Sequence, residues 1–318
     1  MSKSRLRQSA GMLKYKVLDC WPYKFKEMHA TRLRHKLRDK VFKLPQIPAP
    51  DKAEVEIHMF CGKKQLDMGI WASWSIMRFI KNAVLFVHSD GTLRDKDNCS
   101  WQKVIPSIII VSKKEADNRA ADVLATDYPL LYTWRCHNWC SAQVVDMNLF
   151  GESDRLVIMD SDVLCFRKPT ELQASLALDE PVYRWNRDIR SAYLADIELL
   201  NEITDLLLPE AFNAGFQLTP RLGNRDFEHL ERMINLLKAD VRIDTNHFWS
   251  TQTYYAMCAA RCSNAQALPN SYAVTLGQTQ DDAVVRHYVG IPSVRPRYFT
   301  EGLPKILNLG FKLKAPLL

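Results

Sequence analysis

Two Asp-x-Asp triplets, Asp95-Lys96-Asp97 and Asp160-Ser161-Asp162, are the residues here whose spacing most directly suggests chemistry. Their surroundings separate them. The first sits in the polar run 94–100 and reads as a solvated loop. The second follows directly on Leu156-Val157-Ile158-Met159, an apolar run of strand length. In an extended chain, residues i and i+2 project to the same side, so both carboxylates reach one point at a sheet edge. Carboxylates crowded there repel each other and lose hydration, and a hard divalent cation removes both penalties. An N-cap or an exposed turn explains the triplet alone equally well.

Other chemistries lack their residues. The eight cysteines are too dilute for a disulfide scaffold. Cys136/Cys140 and Cys258/Cys262 are spaced i,i+4, whereas zinc knuckles take the C-x2-C form in turns. They read as buried, reduced thiols on helices, in a cytoplasmic compartment. There is no G-x-G-x-x-G, G-x-x-x-x-G-K-[ST], H-E-x-x-H or G-x-S-x-G.

The elements that must carry the triplet form a repeating pattern. Strands are predicted over 54–60, 83–88, 107–111 and 156–159, with a helix over 65–78 and a polar helix from Lys113. The later chain is more mixed, with helices over 225–237 and 249–261 and short strands near 214–218 and 283–288. Alternating strands and helices indicate an open α/β sheet, and such sheets bind ligands at the carboxyl ends of their strands.

Composition sets the limits. At 47% hydrophobic and 25% charged, the 318 residues are globular. No apolar run approaches the roughly 18–20 residues needed to cross a bilayer. Residues 1–50 hold 13 Lys/Arg against 3 Asp/Glu, while the rest carries a small negative excess. Basicity set apart from the folded body argues against a nucleic-acid partner. We divide the chain into a basic N-terminal extension with a Pro-rich linker, 1–50, and a folded α/β body, 51–318. Met1–Leu18 lacks the apolar core of a signal peptide. Residues 23–44 read as a basic amphipathic helix, suited either to packing on the body or to peripheral contact with an anionic membrane.

In their order along the chain, Leu156–Asp162, Phe212-Asn213-Ala214-Gly215-Phe216-Gln217-Leu218 and His287-Tyr288-Val289-Gly290 resemble motifs of the GT-A glycosyltransferases. The likeness is to the retaining family-8 type that includes glycogenin. It runs from about Val55 to about Ile306, with Ile57–Arg78 and the Asp90-Gly91 turn resembling the nucleotide-binding start. The resemblance implies a GT-A, Rossmann-like open mixed sheet flanked by helices. It implies a nucleotide-sugar donor and a glycan, lipid or protein acceptor. It also implies Mn2+ or Mg2+ held by Asp160, Asp162 and His287, and catalytic roles for Asn213 and Gln252. Phe60, Gly62, Asp90, Asp160, Gly215, Gly290 and Arg295 would face the nucleotide sugar. Trp185 and Trp249 are kept as acceptor-side candidates.

Three positions depart from the family pattern. Thr251-Gln252 stands for Asp-Gln, Gln143 for a basic residue ahead of the triplet, and Ser293 for a lysine, leaving Arg295 and Arg297 as the nearest cations. Two rivals remain at this point. One is a sugar nucleotidyltransferase, although Cys61-Gly62-Lys63-Lys64 is poor in glycine for its phosphate loop. The other is a carbohydrate-binding or scaffold protein with a vestigial triplet.

Overall fold

The structure, a computed structural model, describes residues 22–312. The first 21 residues of the basic extension, Met1–Leu18 among them, and residues 313–318 lie outside the described residues. The strands are β1 (Val55–Cys61), β2 (Ala83–Ser89), β3 (Ile109–Val111), β4 (Arg155–Met159), β5 (Val163–Cys165), β6 (Arg184–Arg187), β7 (Phe212–Pro220), β8 (Gln266–Ala267) and β9 (Val285–His287). Seven form one mixed sheet in the order β3-β2-β1-β4-β7-β6-β8, and β5 pairs with β9 in a second ribbon. The first four of that order run parallel, and β7 returns antiparallel to β4. The chain moves outward from β1 to β2 and β3, then re-enters on the other side as β4. The switch point where open sheets form ligand crevices therefore lies between β1 and β4.

β1 alternates in sequence, yet it is buried on both faces. Ile57 and Met59 pack in the cluster that includes the helix Leu66–Met77, while Glu56 and His58 point to the opposite layer. These polar groups are satisfied locally. The Glu56 carboxylate accepts the N–H groups of Glu152 and Ser153 and lies 3.2 Å from His58 Nε2. The helix Leu66–Met77 is buried from Met68 onward, because the sheet covers one side and the N-terminal segment the other.

That segment is a helix over Tyr23–Leu37 followed by a 3-10 turn over Arg38–Lys43. Its stripe Ala30, Leu37, Val41 and Leu44 is buried in the main core cluster. Arg34 forks onto Asp67, and Trp74 Nε1 donates to the Pro45 carbonyl at 2.9 Å. Residues 45–50 are extended, with Ile47 buried and its N–H bonded to Val104 O. Among the described residues, no helix is long and apolar enough to cross a membrane.

Two local expectations are corrected. Asp95–Gln102 is a helix, and Asp97 is buried in its first turn with its carboxylate on the Arg94 N–H. A carboxylate three residues into a helix caps it, and this context was hidden by the polar neighbours. The helix Pro129–His137 ends at Asn138, whose extended backbone places Cys140 beyond it, and Cys136 is exposed. The first cysteine pair is thus no buried helical pair. The seven described cysteines are free thiols.

Candidate metal and donor site

β4 delivers Asp160 to the carboxyl edge of the sheet. The chain then turns, with Val163 N–H bonded to Asp160 O, so a tight turn rather than an extended segment brings the carboxylates together. β5 follows at once and pairs with β9, setting Val163 opposite His287, while Tyr288 N–H reaches Asp162 O at 3.0 Å. β7 closes the third side through the Asp160 N–H, which donates to Gly215 O at 2.7 Å. His287 Nε2 comes to 3.1 Å from Asp162 Oδ1 and 3.5 Å from Asp160 Oδ2. One ligand atom from each of the three residues lies within 4.8 Å of the others.

The imidazole is held from behind. Its Nδ1 is 2.9 Å from Asn213 Oδ1, an acceptor-only atom that also takes the Gly215 N–H at 3.0 Å. Nδ1 must therefore carry a proton, and Nε2 is the atom turned to the carboxylates. A metal-ligating histidine is usually fixed in this way through its other nitrogen. Asn213 Nδ2 in turn donates to Asp188 Oδ2 at 2.7 Å.

Without a cation the three charges lean on one another. The surrounding protein desolvates Asp160 and lifts it to about 7, with Asp162 adding to the rise and His287 and Gln143 opposing it. Part of the Asp160 side chain remains open to solvent, which a ligand requires. Burial works against a charged His287, but Asp162, Asp160 and Asp188 outweigh it and raise the group to about 9. Two carboxylates and an imidazole with its proton directed away suit a hard to borderline divalent ion. The residues present fit the implied metal.

Glycine is required at 215. A Cβ there would lie 2.1 Å from His287 Cε1 and 2.8 Å from Asp160 Oδ2. Gln143, standing where the family pattern has a cation, donates its amide to Asp160 Oδ1. Gln252 is buried with both polar atoms on backbone, its Nε2 on Ala192 O at 2.9 Å and its Oε1 accepting Ala214 N–H at 3.4 Å. Asn213 and Gln252 thus flank the same stretch of β7.

Beside the switch point, Phe60 lies near the end of β1, Gly62 follows its last residue and Asp90 follows β2. Gly62 packs so closely on the Asp90 carboxylate that a Cβ would fall 2.0 Å from it. Gly290 and Arg295 lie beyond β9 and are exposed, while Arg297 is buried against Glu301 and the Ser293 carbonyl. Trp185 is buried and stacked on Phe212 with ring centroids 4.9 Å apart, so it is core, not an acceptor surface. Trp249 is half-buried at the start of the helix bearing Gln252, with Arg190 over its ring.

Sequence reasoning missed Asp188. It follows β6, whose residues Arg184-Trp185-Asn186-Arg187 show no apolar alternation, so neither the strand nor the carboxylate after it carried a local signal.

Solved structures give this architecture a class. The chain aligns with mouse xyloside xylosyltransferase 1 in its apo form at a TM-score of 0.52 and 13% identity, covering 73% of this chain and 96% of that one. It aligns with the bifunctional glycosyltransferase WbbM at 0.51 and 17% identity, covering 84% of this chain and 52% of WbbM, so it spans about half that protein's length. No family model matches, and no curated protein is significantly similar in sequence. The fold is the GT-A fold of nucleotide-sugar glycosyltransferases, a mixed sheet flanked by helices.

Proposed function

We propose that the chain is a glycosyltransferase that moves a sugar from a nucleotide-diphosphate donor to an acceptor hydroxyl. The observation that carries this is the convergence of Asp160, Asp162 and His287 at the switch-point edge of a GT-A sheet, with Asn213 fixing the imidazole. Mn2+ suits the mixed oxygen and nitrogen donors better than Mg2+. When bound, the ion supplies Lewis-acid stabilisation of the charge growing on the departing diphosphate.

The chain's own residues have separate tasks. Phe60, Gly62 and Asp90 would cradle the nucleoside between β1 and β2, and exposed Arg295 would supply a cation for the diphosphate. Gly215, by lacking a side chain, leaves room where donor and cation meet. Asn213, Gln252 and Asp188 border the donor sugar. Retention of anomeric configuration is favoured because the nearby carboxylates are committed, Asp160 and Asp162 to the cation and Asp188 to the Asn213 amide. Asp281 and Asp282, which could otherwise offer an inverting base, are both exposed, and Asp281 lies 3.7 Å from Lys305. The acceptor is a glycan, lipid or protein hydroxyl. Free thiols suit a cytoplasmic setting.

The test is a screen of nucleotide sugars with Mn2+, reading nucleoside diphosphate release and, by NMR, the anomeric configuration of the product. Release abolished by EDTA and by Asp162→Asn is expected. Release of inorganic pyrophosphate instead would assign a nucleotidyltransferase, and no turnover with any donor would point to a binding protein.

A further inference from the structure

We infer that the cavity between the N-terminal helix and the body is a binding site for a phosphate monoester with an apolar substituent. The cavity measures about 420 Å3, within the usual range of small-molecule sites. It opens where the helix Tyr23–Leu37 and its 3-10 continuation cross the first turn of the helix Leu66–Met77. Leu66, Ile70 and Phe42 give it apolar walls, and Thr31 and Ser100 add hydroxyls.

Its charges do not cancel. Asp67 is used up, since both its oxygens receive the Arg34 fork, at 2.9 and 2.5 Å. The remaining acid, Asp39, is exposed and only 3.7 Å from Arg38. Arg38 and Lys63 therefore set two cations in the cavity wall against one solvated carboxylate, with His35 beside them. A phosphate ester presents several anionic oxygens, which a guanidinium fork, a lysine point charge and the Thr31 hydroxyl satisfy together, the Ser100 hydroxyl being given to the Lys96 carbonyl. The apolar walls ask for more than a bare ion, because a small inorganic anion would leave them wet. The group itself is shared by a soluble phosphate ester and a phosphatidic headgroup.

The site is separate from the metal cluster and does not depend on the glycosyltransferase reading. Titration calorimetry on the full chain with hexyl phosphate, inorganic phosphate and hexanol tests it. Saturable binding of hexyl phosphate is expected, at least tenfold weaker binding of inorganic phosphate, and none of hexanol. The exposed pair Arg38→Gln with Lys63→Gln should weaken hexyl phosphate at least tenfold at unchanged melting temperature, while Asp162→Asn binds it as the parent does. Cosedimentation with phosphatidylcholine vesicles, with and without phosphatidic acid, separates the sources. Pelleting that needs phosphatidic acid and is lost in the double variant assigns a lipid headgroup, and no pelleting assigns a soluble ester. The inference fails if hexyl phosphate gives no saturable heat, if the double variant binds it unchanged, or if UDP with Mn2+ displaces it.

Discussion

Gly215 and Asn213 hold the candidate site at its narrowest point. A methyl group at 215 would meet the His287 ring at 2.1 Å, and the ring is pinned by Asn213 on one side and faces the carboxylates on the other. Gly215→Ala should therefore displace His287 and lower Mn2+ affinity more than tenfold. Asn213→Ala removes the acceptor that fixes the tautomer, and loss of such a partner typically weakens metal binding by about 10- to 100-fold. Mn2+ titration followed by EPR reads both, and parent-like affinity in either variant would contradict this geometry. At this scale the sequence was unevenly legible. Asp160 and Asp162 stand out because they crowd two charges directly after an apolar run, although an N-cap or an exposed turn explains the triplet alone equally well. His287 has no such local signal, and only the order of motifs pointed to it. Asn213 was read as a catalytic amide, while its carbonyl oxygen sits on His287 and its NH2 on Asp188.

Strands β1 and β2 were readable as apolar runs, but what their polar members do required the register. His58 Nδ1 lies 3.0 Å from His88 Nε2, Phe86 stacks on His58, and Phe150 meets His88 edge-on. Glu56 is the charged group facing this pair. Burial, with a smaller contribution from His58, holds His88 well below the ordinary histidine value, and burial lowers His58 against the pull of Glu56. The unfolded chain titrates near pH 6.5, so it binds more protons than the native chain below that point. Stability from these histidines is complete above about pH 6.5 and is lost as pH falls, at most about 1.4 kcal/mol per pH unit for each. Chemical denaturation of the parent and His88→Gln at pH 7.5 and 5.5 should show the variant losing less stability on acidification. An equal loss would mean that His88 protonates freely in the fold. β6 and β8 stayed hidden because one is too polar to alternate and the other spans two residues, so β7 and β6 rather than local propensity define them.

Across the whole molecule, the basic N-terminal region carries two faces of information. Its stripe is buried in the main core, so Leu37→Ala should cost about 2–3 kcal/mol of unfolding free energy, read by urea denaturation. A cost near zero would show the helix to be detachable. Its outer side is basic, with Tyr23 and Met28 exposed but not on one helical face, so the proposed contact with an anionic membrane rests on charge and not on an apolar face. Cosedimentation with phosphatidylserine vesicles that falls as salt rises is expected, and salt-independent binding to neutral vesicles would contradict the electrostatic attraction. The central claim is that the GT-A crevice is a cation-dependent diphosphate site. The most direct measurement is calorimetric titration of UDP, GDP and ADP into the parent and Asp162→Asn, with Mn2+ and with EDTA. At least one diphosphate should bind the parent only when Mn2+ is present and should fail to bind Asp162→Asn. Equal binding with EDTA or by the variant, or no binding of any diphosphate, would contradict the account.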